Sequence, residues 1–223
     1  MKIFLDTADI DLIGQYYGTG LIDGVTTNPT LIKKSGKDPE DVYRELALMG
    51  VDDISMEIVT DDSYEFLKEG RRLKEKFGEI TTIKVPCTPE GLKGCKLLSK
   101  ESIRVNVTLI FSAAQAVLAS KAGAAYVSPF VGRVDDNSFD GLRLIEEIAN
   151  IYETQSRLYN FVDTEILSAS IRDVGSVSKS FEYGAGIVTM PPSVFEKMYN
   201  HILTDKGLEL FQKDWDAVNV LKF

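Results

Sequence analysis

The sequence has few of the residues on which several classes of functional site depend. Its 223 residues include one histidine, His201, and two cysteines, Cys87 and Cys95. A Ser-His-Asp triad would have to use His201, which lies in a pattern typical of a helix end and which we interpret as a cation near a helix C-terminus. One histidine cannot build a His-rich metal site, and two cysteines do not make a disulfide framework. We therefore expect a site without a metal.

A basic surface and long apolar runs are also lacking. Lysine and arginine number 25 against 34 aspartate and glutamate residues, which gives a formal net charge of −9. This charge argues against nucleic-acid and anionic-membrane partners, because both bind basic surfaces. No apolar run approaches the roughly 20 residues of a membrane helix, and the N-terminus does not resemble a signal peptide. We expect a cytoplasmic protein, whose small anionic substrate would need cations concentrated in one pocket.

Short apolar runs rich in Val, Ile, Thr and aromatic residues alternate with longer helical patterns along the whole chain. The runs begin near Ile3, Val25, Ile54, Thr82, Val105, Tyr126, Ile166 and Ile187. Strands that alternate with helices predict an α/β fold with a parallel sheet, either open and doubly wound or closed. The count of eight favours a (β/α)₈ TIM barrel, and no Gly-x-Gly-x-x-Gly follows the first strand, which weakens a dinucleotide-binding alternative. We predict one domain over residues 1–223.

Polar residues recur at alternate positions inside these strands, and such residues share one face of a strand. The polar positions are Asp6, Thr26 and Asn28, Ser55 and Glu57, Thr82 and Lys84, Asn106 and Thr108, and Ser168 and Ser170. The opposite face of nearly every strand is apolar and should meet the helices. In a barrel the polar positions converge on the mouth at the carboxyl ends of the strands, where barrel enzymes keep their sites. Asp6, Glu57 and Lys84 should therefore lie near one another.

Lys84 admits two interpretations. A lysine inside a barrel mouth is desolvated, which disfavours its ammonium form and makes a neutral amine available to attack a carbonyl group. Alternatively, Lys84 forms a structural ion pair with Glu57 or Asp6. Arg133 and Arg172 follow the sixth and seventh strands, where their forked donors would suit a phosphate group.

Several ordered motifs resemble those of transaldolases and the related fructose-6-phosphate aldolases. They are Leu5-Asp6-Thr7-Ala8, Gly24-Val25-Thr26-Thr27-Asn28-Pro29-Thr30, Ile83-Lys84-Val85-Pro86, Asn106-Val107-Thr108-Leu109-Ile110-Phe111-Ser112, Ser128-Pro129-Phe130-Val131-Gly132-Arg133 and Ala169-Ser170-Ile171-Arg172. The similarity runs from Met1 to about Trp215. It implies a cofactor-free enzyme of the non-oxidative pentose phosphate pathway that acts on sugar phosphates.

The resemblance implies a role for each matching residue. Lys84 matches the Schiff-base lysine, Asp6 the acid/base at the C4 hydroxyl of the donor sugar, and Glu57 with Thr108 the pair that holds a catalytic water. The substrate-binding matches are Thr26, Asn28 and Asn106 for the dihydroxyacetone hydroxyls, and Arg133, Ser170 and Arg172 for the phosphate.

Two positions distinguish the two activities of the resembled family. The aldolases carry glutamine in place of Glu57 and tyrosine in place of Phe130, so this chain follows the transaldolase pattern. Phe130 brings no hydroxyl to the enamine intermediate, which favours transfer to a second sugar over release of free dihydroxyacetone. We predict a transaldolase, with a fructose-6-phosphate aldolase as the alternative and a noncatalytic phosphosugar-binding barrel as the alternative of another class.

The C-terminal segment, about residues 204–218, has apolar residues on one face of a predicted helix. Leu208, Phe211, Trp215 and Val218 are spaced three, four and three residues apart. The barrel helices precede this segment, so its apolar face needs another surface, which is either its own barrel or a second subunit. The resemblance implies a homo-oligomer, because short transaldolases form pentamer rings that exchange a C-terminal helix and stack into decamers.

Overall fold

A computed structural model describes residues 1–159 and 162–220. The predicted strands all form, and each begins within one residue of its predicted start. They are β1 (Lys2–Asp6), β2 (Gly24–Thr26), β3 (Ile54–Glu57), β4 (Thr81–Pro86), β5 (Arg104–Ile110), β6 (Tyr126–Pro129), β7 (Glu165–Ser168) and β8 (Ile187–Met190). Neighbouring strands pair in parallel in sequence order, and β1 closes the barrel against β8. The predicted (β/α)₈ TIM barrel is confirmed.

Helices surround the barrel, and several begin at the capping residues that the sequence provides. They are α1 (Ile10–Tyr17), α2 (Pro29–Ser35), α3 (Pro39–Met49), α4 (Ser63–Phe77), α5 (Pro89–Ser99), α6 (Ala113–Ala122), α7 (Val131–Asp135), α8 (Gly141–Tyr159), α9 (Val174–Glu182), α10 (Pro192–Lys197) and α11 (Ile202–Val220), with a 3₁₀ turn at Gly78–Ile80. The side chains of Asp38, Thr88 and Ser112 accept hydrogen bonds from the first turns of α3, α5 and α6.

The outward faces of the strands mostly bury aliphatic side chains against the helices, as the alternation predicted. Ser168, for which the opposite face was predicted, is an exception. Ser168 of β7 is buried and its Oγ lies 2.9 Å from Ser180 Oγ on α9, so it faces the helix layer. Leu167 of β7 and Ala169, which follows the strand, pack with Phe4 inside the barrel. The expectation that Ser168 and Ser170 share the polar face is therefore wrong. Ser170 lies beyond the end of β7 and has a φ of 59°, which breaks the alternation.

The amino-terminal end of the barrel, its base, contains a buried polar cluster. Asp53 precedes β3, and its carboxylate accepts hydrogen bonds from Thr82 Oγ1 (2.8 Å), Arg104 Nη1 (2.9 Å) and the Tyr126 hydroxyl (2.7 Å). Burial raises the pKa of Asp53, although these three partners lower it. Burial and the neighbouring Asp53 raise the pKa of the Tyr126 hydroxyl. We call these four residues the base cluster.

The last helix, α11, follows the barrel and exposes its apolar residues. Leu208, Phe211, Trp215 and Val218 are 62%, 70%, 60% and 46% exposed, so they do not pack on their own barrel. His201 immediately precedes α11, and its Nδ1 accepts a hydrogen bond from the Leu203 backbone N–H. Its predicted place at a helix C-terminus is therefore wrong. None of the helices in the described part of the chain has the length and apolar character needed to span a bilayer.

Candidate active site

A cavity of about 110 Å³ lies at the carboxyl ends of the strands, inside the mouth of the barrel. Most of the predicted site residues line it: Asp6, Thr26, Asn28, Lys84, Thr108, Phe130, Arg133 and Ser170. Of the other three predicted residues, Glu57 contacts Lys84 and Asn106 contacts Ser128, whereas Arg172 is exposed and pairs with Asp136. Ser128, Ala169 and Thr189 complete the lining, although the sequence analysis predicted no site role for them. The tertiary structure thus brings residues from seven strands or strand ends to one small space.

Lys84 lies at the centre of this arrangement. Its side chain is 6% exposed, and its Nζ is 3.0 Å from Glu57 Oε2 and donates to the Thr27 backbone carbonyl at 3.0 Å. Glu57 and Lys84 are side-by-side partners in the register of β3 and β4, which holds both side chains on the interior face. The ion pair expected under one interpretation of Lys84 is present. It also gives the amine a proton acceptor within reach, which the catalytic interpretation requires.

Asp6 extends from the end of β1 into the same cavity. Its Oδ1 accepts a hydrogen bond from Thr26 Oγ1 at 2.8 Å. Burial raises the pKa of Asp6, while Lys84 and the Thr26 hydrogen bond lower it and Glu57 raises it further. Because burial is the largest effect, this carboxyl group takes up a proton at a higher pH than an ordinary aspartate. Such a group is suited to exchange protons with a substrate hydroxyl.

Thr108 is held at the mouth by an irregularity in β5. Its Oγ1 is buried and has no hydrogen-bond partner within residues 1–159 and 162–220. The pairing of β5 with β6 shifts register between Val107 and Ile110, and Leu109 has a φ of 60°, in the left-handed region that a leucine rarely adopts. Bulges of this kind redirect side chains beside active sites. An unpaired buried hydroxyl is unfavourable for stability, so it indicates a group kept available for a water or a substrate.

The protein holds one end of the Asn28 amide and both ends of the Asn106 amide by hydrogen bonds. Asn28 Oδ1 accepts from the Leu31 backbone N–H at 3.0 Å and caps α2, which leaves the Asn28 amide nitrogen for the cavity. Asn106 lies deeper and is fully buried. Its Oδ1 accepts from Ser128 Oγ at 2.7 Å, and its Nδ2 donates to Ser55 Oγ at 3.2 Å. Ser128 could have been predicted, since it lies two residues before Phe130 on the same strand face.

Aromatic and cationic side chains form the rim of the cavity. The ring of Phe130 packs edge-on against Phe111, with centroids 5.8 Å apart, and Arg133 Cζ lies 5.0 Å from the Phe130 ring centroid. Contact with an aromatic face orients a guanidinium group by a cation–π interaction. Phe130 therefore supports Arg133 as well as lining the cavity.

The second arginine of the rim, Arg172, depends on a glycine. A Cβ atom at Gly132 would lie 2.4 Å from the Ser170 carbonyl oxygen and 2.8 Å from Arg172 Nε, so only glycine allows α7 to approach this loop. The exposed guanidinium of Arg172 forms two hydrogen bonds with the carboxylate of Asp136. An incoming phosphate would have to share this guanidinium with Asp136 or displace it.

Comparison with known proteins shows the family of this chain. The family described as "Transaldolase/Fructose-6-phosphate aldolase" matches residues 3–221. The chain belongs to this family. Proteins named "Probable transaldolase" from Ruegeria pomeroyi and Nitrosopumilus maritimus are similar to it. The first is 50% identical over 220 residues, which cover 99% of each chain, and the second is 48% identical over 218 residues, which cover 98% of this chain and 96% of the relative. The chain is thus an enzyme of the transaldolase/fructose-6-phosphate aldolase family.

The buried lysine Lys84 lies among carboxyl groups at the mouth of the barrel. Within residues 1–159 and 162–220, no group of three His, Cys, Asp or Glu side chains is placed to hold a metal ion. The groups at the mouth are instead an amine, two carboxyl groups and several hydroxyls. These are the groups that covalent carbonyl chemistry and proton transfer require.

Proposed function

We propose that this enzyme is a transaldolase of the non-oxidative pentose phosphate pathway that works in the cytoplasm. It moves a dihydroxyacetone unit from sedoheptulose 7-phosphate or fructose 6-phosphate to an aldose phosphate. The observation that carries the proposal is the buried Lys84, whose Nζ contacts Glu57 while Asp6 and Thr108 line the same cavity. A barrel that only binds sugar phosphates would gain nothing from a desolvated lysine with adjacent acid/base groups.

The reaction begins with formation of the Schiff base. Glu57 accepts a proton from Lys84 Nζ, and the neutral amine attacks the C2 carbonyl carbon of the ketose to form a carbinolamine. Loss of water from this adduct gives an iminium ion. Glu57 and the Thr108 hydroxyl hold the water that leaves here and returns when the product is released.

Carbon–carbon bond cleavage follows. Asp6 takes the proton of the C4 hydroxyl, the C3–C4 bond breaks, and its electron pair moves into the iminium group to give an enamine on Lys84. The aldose product departs. The enamine carbon then attacks the aldehyde of the acceptor, Asp6 returns the proton to the new hydroxyl, and water hydrolyses the iminium to free Lys84. The transfer reaction therefore needs no external oxidant or reductant.

The remaining predicted residues bind the sugar. Thr26, Asn28 and Asn106 contact the dihydroxyacetone portion, and their fixed hydrogen bonds reduce the reorganisation that binding requires. The phosphate lies at the rim against Arg133, Ser170 and Arg172. Phe130 offers no hydroxyl to protonate the enamine, and this favours transfer over release.

One assay separates the transaldolase from its alternatives. Incubation with fructose 6-phosphate should yield products in quantity only when erythrose 4-phosphate is added. Release of dihydroxyacetone and glyceraldehyde 3-phosphate without the acceptor would identify an aldolase, and binding without turnover would identify a binding protein. In a parallel sample, borohydride with fructose 6-phosphate should add a reduced three-carbon adduct at Lys84 alone. Inactivated enzyme with an unmodified Lys84 in the peptide map would exclude the mechanism.

We further propose that the enzyme is a homo-oligomer, a pentamer ring or a decamer, and that α11 packs on a neighbouring subunit. The support is the exposed apolar face formed by Leu208, Phe211, Trp215 and Val218. Large aromatic residues of this kind often anchor interfaces. Light scattering of the full chain should report a large assembly, and truncation before Thr204 should reduce it to smaller species with a lower melting temperature. A monomer at micromolar concentration would disprove the packing of α11 on a neighbouring subunit. An unchanged assembly after truncation would show that other surfaces hold the subunits together.

A further inference from the structure

Thr189 on β8 lines the mouth cavity but has no part in the proposed mechanism so far. It is 2% exposed, and its Oγ1 lies 2.7 Å from Thr26 Oγ1. Thr26 Oγ1 in turn donates to Asp6 Oδ1 at 2.8 Å. Since β8 and β2 flank β1 in the barrel, the two threonines reach the Asp6 region from both neighbouring strands.

The direction of these hydrogen bonds follows from counting protons. A threonine hydroxyl carries one hydrogen, and an ionised carboxylate can only accept. When Asp6 is ionised, the hydrogen of Thr26 is committed to Asp6. The contact between the two threonines must then use the hydrogen of Thr189. The three groups form a directed chain in which Thr189 donates to Thr26 and Thr26 donates to Asp6.

We propose that Thr189 is a positioning residue that directs the Thr26 hydroxyl toward Asp6 and thereby stabilises the ionised form of the acid/base group. A donor hydroxyl that itself accepts a hydrogen bond is polarised and donates more strongly. Without Thr189, the Thr26 hydroxyl loses this polarisation and gains freedom to turn away. The inference rests on the proposed function, in which Asp6 removes a proton from the substrate.

Other charged groups also act on Asp6. Lys84 from β4 lowers the pKa of Asp6, and Glu57 from β3 raises it. Asp9, Asp11, Lys34 and Lys37 line a surface cavity that also includes Asp6. None of these groups would change when Thr189 is replaced, so a shift in the titration of Asp6 reports the hydroxyl chain.

The test compares Thr189→Val, which removes the hydroxyl at nearly constant volume, with Thr189→Ser, which keeps it. The acid limb of the kcat/KM profile for transfer from fructose 6-phosphate to erythrose 4-phosphate should move to higher pH by about half a unit or more in Thr189→Val. It should stay at the wild-type position in Thr189→Ser, and Thr189→Val should add no further shift in a Thr26→Val background. Identical acid limbs in wild type and Thr189→Val, or an equal shift in Thr189→Ser, would overturn the assignment.

A second measurement separates this inference from the proposed function. The protonated carboxyl band of Asp6 can be titrated by infrared spectroscopy of the enzyme without substrate and assigned by its loss in Asp6→Asn. In Thr189→Val, Asp6 should titrate at a higher pH than in the wild type, even if the wild type transfers no sugar. If Thr189→Val fails to fold, Thr189→Ala replaces it in both measurements. If the band titrates at the same pH in Thr189→Val as in the wild type, the inference about Thr189 is wrong. The proposed function is tested separately, by the transfer assay.

Discussion

The barrel interior has two clusters of buried polar side chains, one at each end, and they differ in how completely they are paired. In the base cluster, both carboxylate oxygens of Asp53 accept hydrogen bonds, from Thr82, Arg104 and Tyr126. At the mouth, Thr108 Oγ1 has no partner within the described residues, and a cavity of about 110 Å³ adjoins Lys84 and Asp6. A buried polar group is costly in either place. Complete pairing indicates a structural role, and an unpaired group beside a cavity indicates a chemical one.

Replacement of Lys84 should have the largest effect on activity and little effect on stability. We expect Lys84→Met to abolish both transfer and borohydride trapping, because among the described residues no other lysine lines the mouth cavity to supply the attacking amine. Circular dichroism and melting should stay close to wild type. Lys68→Met, at a lysine whose side chain is 76% exposed on α4, is the matched control and should keep full activity. Trapping at another lysine in the Lys84 variant would contradict this assignment.

Replacement of Asp53 should lower stability and change activity little. We expect Asp53→Ala to lower the free energy of unfolding by about 3 kcal/mol, because Tyr126 and Thr82 lose buried acceptors and Arg104 loses its counter-ion. Urea unfolding measures the loss, and kcat of the folded fraction should change little. Asp41→Ala, which removes an exposed partner of Arg44 and an acidic residue from the first turn of α3, should cost less than Asp53→Ala, by an amount typical of surface substitutions, about 0.5 kcal/mol. Lost activity with unchanged stability would show that the base cluster serves the chemistry.

The two rim arginines should affect substrate binding more than turnover. We expect Arg133→Ala or Arg172→Ala to raise the KM for phosphorylated sugars roughly ten- to hundredfold. Loss of a charge-assisted hydrogen bond costs on the order of 1.5–3 kcal/mol. The KM for unphosphorylated dihydroxyacetone-type donors should barely change. Arg143→Ala, at an exposed arginine on α8, is the control. Equal losses for both types of donor would assign the arginines to structure.

The smallest expected effect is on the balance between two products. Phe130→Tyr should raise the release of free dihydroxyacetone relative to transfer several-fold, since the new hydroxyl could orient a water or proton donor at the enamine. The ratio is measured with fructose 6-phosphate and erythrose 4-phosphate in one reaction. Phe111→Tyr, at the aromatic partner of Phe130, is the control for an added hydroxyl at the rim. An unchanged ratio in Phe130→Tyr would show that another group sets the fate of the enamine.

The strand positions and most residues of the mouth cavity could be predicted from the sequence, because side chains in a strand alternate between two faces. The inward positions of Asp6, Thr26, Glu57 and Lys84 follow from this alternation once eight strands imply a closed barrel. The same rule failed for Ser168, because an isolated serine can be satisfied equally well by a hydroxyl on the helix side, here Ser180. Because β7 has an apolar residue on each face, Ile166 toward the helices and Leu167 toward the barrel interior, its pattern does not reveal which face is inward.

Contacts that depend on backbone groups or on strand irregularities were decided by the tertiary structure alone. The Thr27 carbonyl that holds Lys84 has no sequence signature, since every residue has such a group. The left-handed backbone at Leu109 is imposed by the register shift between β5 and β6. Thr189 meets Thr26 although 163 positions separate them, because closure of the barrel brings β8 and β2 to either side of β1. Local periodicity predicts which side chains face inward, whereas barrel closure decides which of them touch.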